Sequence, residues 1–309
     1  MNSTYLDFFN LREDPFRLTP DPAYYYPSAE HANALLSLDY IMNNREGFCL
    51  LTGEPGTGKS TLVRIFLNNW QEKAEIALVM TPRLSPEDFL QAILEDLEVV
   101  CPPTGNKNSM IKAFRDFLLS HAATGRRVAI LVDEAQNLPV ETLEELRLLS
   151  NLETDREKLL QIILIGQPEL ADKLSRDDLK QLNQRISVRA SLSPLSFHST
   201  ADYLATRLRQ GGAQAGALFE KNALDLLHRL SGGIPRLINL IASRGLMVAY
   251  LEKSATVNEQ QVRLAAKEIL RQEGKKGGLS RLSRTVLVTA ALVVVAVTAG
   301  LIFWKMRLS

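Results

Sequence analysis

An α/β fold, with a mainly parallel sheet and helices on both faces, is predicted for this 309-residue chain by three observations. Short apolar runs alternate with helical patterns as far as Pro194. One of those runs leads straight into a glycine-rich turn that opens a helix. Beyond Pro194 only helical spacing continues, which predicts a second, smaller, all-helical unit. The composition agrees: 46% hydrophobic and 23% charged residues suffice for a large core, and the length suits about two domains. With 36 basic against 35 acidic residues the net charge is +1, so the general basic field typical of sequence-independent nucleic-acid binding is missing. Nucleic acid is therefore not an expected partner. Cys49 and Cys101 match no metal-ligand spacing and are too few for a disulfide framework, so both are expected to be reduced and buried. An amino-terminal signal peptide is not expected either, because Asp7, Arg12, Glu13, Asp14 and Arg17 interrupt the start.

Residues 1–45 read as an entry segment. It holds the Pro- and aromatic-rich stretch PFRLTPDPAYYYPS, then a helix that Ser28 caps, with Ala34, Leu35, Leu38 and Ile41 on one face. Phe8, Phe9, Phe16 and Tyr24 to Tyr26 either cover a base or simply pack. Residues 46–195 read as the α/β core, with strands at Phe48–Thr52, Ile76–Met80, Val128–Val132, Gln161–Ile165 and Ile186–Leu192. Behind the first strand stands Gly53-Glu54-Pro55-Gly56-Thr57-Gly58-Lys59-Ser60, followed by Thr61. Glycines are needed there because backbone N–H groups must curl around an anion, at φ values that a Cβ disfavours. In such a phosphate-binding loop Lys59 reaches the β/γ-phosphates of ATP, Ser60 ligates Mg²⁺, and the helix from Thr61 onward turns its positive end toward them. The fold class is thus a P-loop nucleotide hydrolase.

The run VAILVDEAQ ends a strand on Asp133 and Glu134. An aspartate at a strand tip can share the Mg²⁺ shell with Ser60, while the neighbouring glutamate can activate the water that attacks the γ-phosphate. Gln167, after the next strand, is placed to lay an amide beside that water or the γ-phosphate; a plain loop role is the alternative. Arg185 and Arg189 in LNQRISVR compete as a guanidinium acting on a neighbouring subunit's γ-phosphate, with a surface or salt-bridge role open for each. In the helical region 196–272, Ser231-Gly-Gly-Ile-Pro-Arg236 makes a turn and fixes Arg236 in the first turn of a helix, where a lid can swing it onto the γ-phosphate. His31, His121, His198 and His228 form no catalytic or metal constellation and are expected to be structural or solvent-facing.

Residues 273–285 read as a flexible basic linker, and 286–304, VLVTAALVVVAVTAGLIFW, as a transmembrane helix: uncharged and about 28 Å long at 1.5 Å per residue, close to the ~30 Å bilayer core. Lys275, Lys276, Arg281 and Arg284 precede it against Lys305 and Arg307 after it, which predicts a single-pass protein of the inner membrane with its ATPase part cytoplasmic and a far-side tail of 305–309.

Taken together, YLDFFNLREDPFRLTPDPAYYYPS, GEPGTGKS, LVDEAQNLPVETLEELRLLSNLE, IGQPEL, LNQRISVR and GGIPRLIN resemble the AAA+ ATPases of the ExeA/GspA type, secretion and pilus-biogenesis ATPases that include MshM-like proteins. The resemblance covers residues 5 to about 272. It implies a Walker A motif at Gly53–Ser60, a Walker B pair at Asp133 and Glu134, sensor 1 at Gln167, an arginine finger at Arg185 and sensor 2 at Arg236. It further implies a homo-oligomer and partners in an envelope secretion, pilus or polysaccharide-export apparatus. Such proteins continue past the membrane helix into a periplasmic peptidoglycan-binding region; here the sequence ends a few residues later, so direct wall binding by this chain is not expected. A DNA-handling AAA+ ATPase, such as a transposition regulator, and a nucleotide-switched scaffold are the alternatives. A two-domain helicase is excluded because no second such domain follows.

Overall fold

The computed structural model describes residues 3–19, 21–80, 84–100, 106–154, 157–213 and 218–269. Five strands, β1 (Phe48–Gly53), β2 (Ala74–Val79), β3 (Arg127–Val132), β4 (Gln161–Gly166) and β5 (Ile186–Leu192), form one sheet in the order β2-β3-β4-β1-β5. Every pairing is parallel, with Leu50 opposite Leu164 and Leu131 opposite Ile163. All five strands lie where the apolar runs predict them. Central strands covered on both faces need unbroken apolar runs, and every residue of β4 is buried. The edge strand β5 instead alternates between covered and exposed positions.

Side chains one residue apart feed opposite faces. Phe48, Leu50, Ile162 and Leu164 enter one core with α4 (Pro86–Asp96), α5 (Lys107–Ala123), α6 (Val140–Leu149) and α7 (Pro168–Leu174). Cys49, Leu51, Ile163 and Ile165 enter the other, with α2 (Ala29–Asn44) and α3 (Lys59–Trp70). Ser28 caps α2 as predicted, its hydroxyl accepting from the His31 amide. Cys49 is a free, buried cysteine, and burial pushes its thiol up to about 12, so it packs as a small apolar group. Cys101 lies outside the described residues.

Three further helices, α9 (Phe197–Gln210), α10 (Lys221–Ser231) and α11 (Pro235–Leu251), build a separate core with helical residues 259–269. The five-residue α8 (Lys180–Gln184) precedes β5. Phe9, Leu11 and Phe16 are buried in this helical core too, beside α1 (Ser3–Phe8), whose Phe8 ring meets Tyr250 at 5.6 Å. The segment 1–45 thus contributes to two cores: its first part closes the helical bundle, and α2 covers the sheet. Phe8, Phe9 and Phe16 pack in the bundle and cover no base.

The expectation of a membrane span is corrected by the structure. Among the described residues no helix is long and apolar enough to cross a membrane, and the segment 286–304 lies outside them, with the linker before it and the tail after it. A single-pass inner-membrane placement is not supported. Hydropathy over nineteen residues reports transfer free energy alone, and the folded elements give it no counterpart.

The turn before α11 sets a testable constraint. Gly232 and Gly233 both adopt positive φ, 58° and 74°, but a Cβ on Gly232 would meet nothing within 4 Å whereas one on Gly233 would lie 2.2 Å from the Leu195 carbonyl oxygen. Gly232→Ala is expected to cost only the left-handed strain, about 1 kcal/mol. Gly233→Ala must also displace backbone, costing roughly 3 kcal/mol or more. Urea midpoints at unchanged slope measure the difference.

Candidate functional site

Between the sheet and the helical bundle lies a cleft of about 470 Å³ whose lining includes Pro55 to Thr61, Glu134 and Arg236. The strap before α2 supplies Tyr24, Tyr25 and Tyr26, so these three aromatics face the site, unlike the phenylalanines ahead of them. Gly56 and Gly58 take φ of 85° and 107°, the backbone that the anion-binding turn requires. Space is short as well. A Cβ on Gly53 would lie 2.8 Å from Thr57 Oγ1, one on Gly56 2.7 Å from Arg236 Cβ, and one on Gly58 2.8 Å from His31 Nε2.

Two carbonyls of the loop are held from opposite sides. The Arg236 amide donates to the Gly56 carbonyl at 3.2 Å. His31 Nε2 donates to the Thr57 carbonyl at 2.9 Å, while its Nδ1 meets Ser28 Oγ at 2.7 Å. Because a carbonyl only accepts, the proton sits on Nε2, and in the neutral ring Nδ1 accepts from the serine hydroxyl. Burial depresses the His31 pKa, against the opposing pull of the Thr57 carbonyl and the Glu30 charge. Sequence reasoning leaves His31 as structural; its contact with the loop is a long-range pairing that only the fold creates.

Lys59 is buried, and its ammonium donates to the carbonyls of Gly53 at 2.5 Å and Glu54 at 3.1 Å. Burial lowers its pKa, while the charges of Glu134, Asp133, Glu54 and Glu169 work the other way. Asp133 sits just past β3, its amide bonded to the Val79 carbonyl at 3.0 Å. Burial raises its carboxyl pKa; the Glu134 amide donating to it and the Lys59 charge pull it back, whereas the Glu134 charge adds to the rise. Glu134 has φ 51°, ψ 37°, a left-handed step that turns the chain after the strand, and it lines the cleft. The side-chain amides of Gln167, at 3.2 Å, and of Gln136 both donate to Glu134 Oε2. Gln167 therefore approaches the site through Glu134 and is absent from the cleft lining itself.

Arg236 is exposed in the first turn of α11 and lines the cleft, which is where the Gly-Gly-Ile-Pro-Arg order puts it. Arg185 stands elsewhere, its Nη1 donating to the Arg147 carbonyl at 3.3 Å, Ser150 Oγ at 2.9 Å and Asn151 Oδ1 at 2.6 Å around the end of α6. Arg189 is exposed and bonds Asn183. Neither arginine lines the cleft of its own chain. Arg207, which sequence reasoning missed, is buried and donates to the carbonyls of Pro15 at 2.5 Å and Arg17 at 3.1 Å and to the Tyr203 hydroxyl at 3.1 Å. Its guanidinium lies 4.8 Å from the Tyr24 ring centroid, so one cation fixes the aromatic strap over the cleft.

As a donor set, curled backbone amides, the Lys59 ammonium, the Ser60 hydroxyl and the exposed Arg236 guanidinium suit a phosphate ester. The oxygens of Ser60 and Asp133 are of the hard kind that Mg²⁺ prefers. Among the described residues no group of three or more His, Cys, Asp or Glu could hold a metal ion.

The depressed His31 pKa has a definite sign in stability. Between its folded value and the ordinary 6.5 the unfolded chain binds more protons, so stability falls as pH drops from about 6.5 through the folded pKa. His31→Gln, which retains a donor for the Thr57 carbonyl, should flatten that part of the stability–pH curve in urea titrations. An unchanged slope would remove His31 as its source.

An AAA-domain family model matches residues 42–174. Over 272 residues the chain is 44% identical to the general secretion pathway protein A of Aeromonas hydrophila, covering 87% of this chain and 50% of that protein. The chain thus spans half the length of this curated relative. Among solved structures, a Walker-type ATPase of Pyrococcus abyssi superposes with a TM-score of 0.62 at 18% identity, covering 87% of this chain and 79% of that one. The Cdc6p protein of Pyrobaculum aerophilum gives 0.61 at 18% identity, covering 84% and 71%. At such identities the two structures speak for the fold alone, and they share the P-loop α/β architecture described above. Together, the AAA domain and the 44% identity over most of the chain support an AAA ATPase of the ExeA/GspA type.

Proposed function

We propose that the cleft binds Mg-ATP and hydrolyses it, and that the cycle serves a secretion apparatus. One observation carries the chemical part: Glu134 lines the same cleft as Lys59, Ser60 and the curled loop. On this reading the backbone amides of Gly56, Gly58, Ser60 and Thr61 and the amide and ammonium of Lys59 hold the β- and γ-phosphates, and the ammonium exchanges its present carbonyl partners for phosphate oxygens. Ser60 and Asp133 hold Mg²⁺, which when bound neutralises charge on the phosphate oxygens. Glu134 orients the attacking water and takes its proton, and Gln167 steadies that carboxylate. Arg236, carried by residues 196–272 acting as a lid over the core of 46–195, meets the γ-phosphate from the bundle side. Tyr24 to Tyr26 cover the base.

Arg185 acts in trans, on the γ-phosphate of a neighbouring copy in a homo-oligomer. Its distance from its own cleft supports that role, since a finger that serves a neighbour has no work in its own site. For the biological setting, the support is the relative's name, general secretion pathway protein A, which points to secretion rather than to pilus assembly or polysaccharide export.

Lys59→Ala is expected to weaken ATP binding at least about 100-fold, whereas Glu134→Gln should still bind ATP while kcat falls roughly 10²–10⁴-fold. Equal loss of binding in both, measured by titration with a fluorescent ATP analogue, would remove Glu134 from the base role. Arg185→Ala alone should lose most ATPase activity and regain part of it when mixed with Glu134→Gln subunits. Mixed oligomers that stay inactive at every ratio would argue against action across an interface.

A further inference from the structure

Gln136, two residues past Glu134 in the run VAILVDEAQ, has no role in the reading above, yet its side chain is tied at both ends. Its Oε1 accepts from the Gln167 backbone amide at 3.2 Å, and its Nε2 donates to Glu134 Oε2. The amide cannot be turned the other way. A backbone N–H only donates, so the oxygen must face Gln167 and the NH₂ must face the carboxylate. The main chain is pinned as well, since Lys173 Nζ of α7 donates to the carbonyls of Gln136 and Leu138. Room for the side chain comes from Gly166, where a Cβ would lie 2.6 Å from Gln136 Oε1. The tips of β3 and β4 are thus joined by one side chain, whose free end holds the carboxylate that faces the cleft.

We propose that Gln136 is a positioning residue for ATP hydrolysis: it anchors Glu134 Oε2 to the end of β4 and so leaves Oε1 aimed at the attacking water. The inference rests on the reading of Glu134 as the base. Gln167 alone cannot replace this strut, because its side-chain amide reaches the same oxygen without a second anchor. A carboxylate free to rotate spends less time in the reactive orientation, and displacement of about 1 Å can cost a factor of 10². Binding of ATP does not involve this contact, so the effect belongs to turnover.

The test uses the full chain and ATP. Gln136→Met keeps the length of the side chain but neither hydrogen bond; Gln136→Leu removes both as well, and neither adds charge beside Glu134. Both variants should lower kcat roughly 10- to 100-fold with the KM for ATP and the affinity for a fluorescent ATP analogue unchanged. In a Glu134→Gln background Gln136→Met should cost nothing further, because the group it positions is already gone. Unchanged kcat in both single variants would overturn the proposal, and so would a parallel loss of affinity and thermal stability. An additive loss in the double variant would overturn it too. Failure of the underlying reading has a separate signature: Glu134→Gln would itself turn over ATP at the unsubstituted rate.

Discussion

Two consecutive carbonyls, those of Gly56 and Thr57, are held outward by different layers of the molecule, one by the Arg236 amide of the bundle and one by His31 on the sheet side. A peptide carbonyl and the N–H of the same peptide unit point in opposite directions. Fixing the oxygens outward therefore turns the following amides inward: that of Thr57 donates to the Glu54 carbonyl at 3.2 Å and closes the turn, and that of Gly58 takes the direction an anion-binding nest requires. The glycines permit this backbone, and the two outside partners select it. Much of the remaining architecture follows from the need to bring those partners in. Helix α2 must lie across β1 and β5 to deliver His31, and the Gly232-Gly233 turn must return under Leu195 to deliver Arg236.

Charge inside the cleft is arranged on a similar principle. Lys59 is desolvated, but Glu134, Asp133, Glu54 and Glu169 all favour its charged form. Asp133 is likewise desolvated and gains from the Glu134 amide and from Lys59. Neither group depends on a single ion pair. Each is kept by several partial compensations, so an incoming phosphate and cation can replace some of them without leaving a bare buried charge.

The parts of this fold legible in the sequence are those in which a local pattern and a tertiary demand coincide. Strand β4 reads as a strand because burial on both faces requires an unbroken apolar run, and the loop reads as a phosphate site because its glycines are close together in sequence. The Gly-Gly-Ile-Pro-Arg order placed Arg236 for the same reason. What local pattern could not supply is pairing at long range. His31 and Thr57, Arg207 and Pro15, and Gln136 and Gln167 are far apart in sequence, and no spacing rule connects them. Aromatics near the start offered packing or base cover as equal readings, and only the bundle's position separates Phe9 and Phe16 from Tyr24 to Tyr26. Arg185 looked like a neighbour-directed arginine on motif grounds, but its present ties to the end of α6 depend on how that helix packs.

The helical bundle is assembled from both ends of the described chain, with Phe9 and Phe16 closing a core otherwise made by α9 to α11 and residues 259–269. During synthesis the sheet's strands are all available once β5 has emerged, yet the aromatics ahead of α2 must wait for Phe219 and α11 before they can be buried. Vectorial folding, amino-terminal part first, is therefore closed to this protein's bundle. The strap that Arg207 rivets over the cleft precedes the sheet in sequence and waits for α9 beyond it, and Arg236 follows on α11, so the nucleotide site is completed only after all five strands.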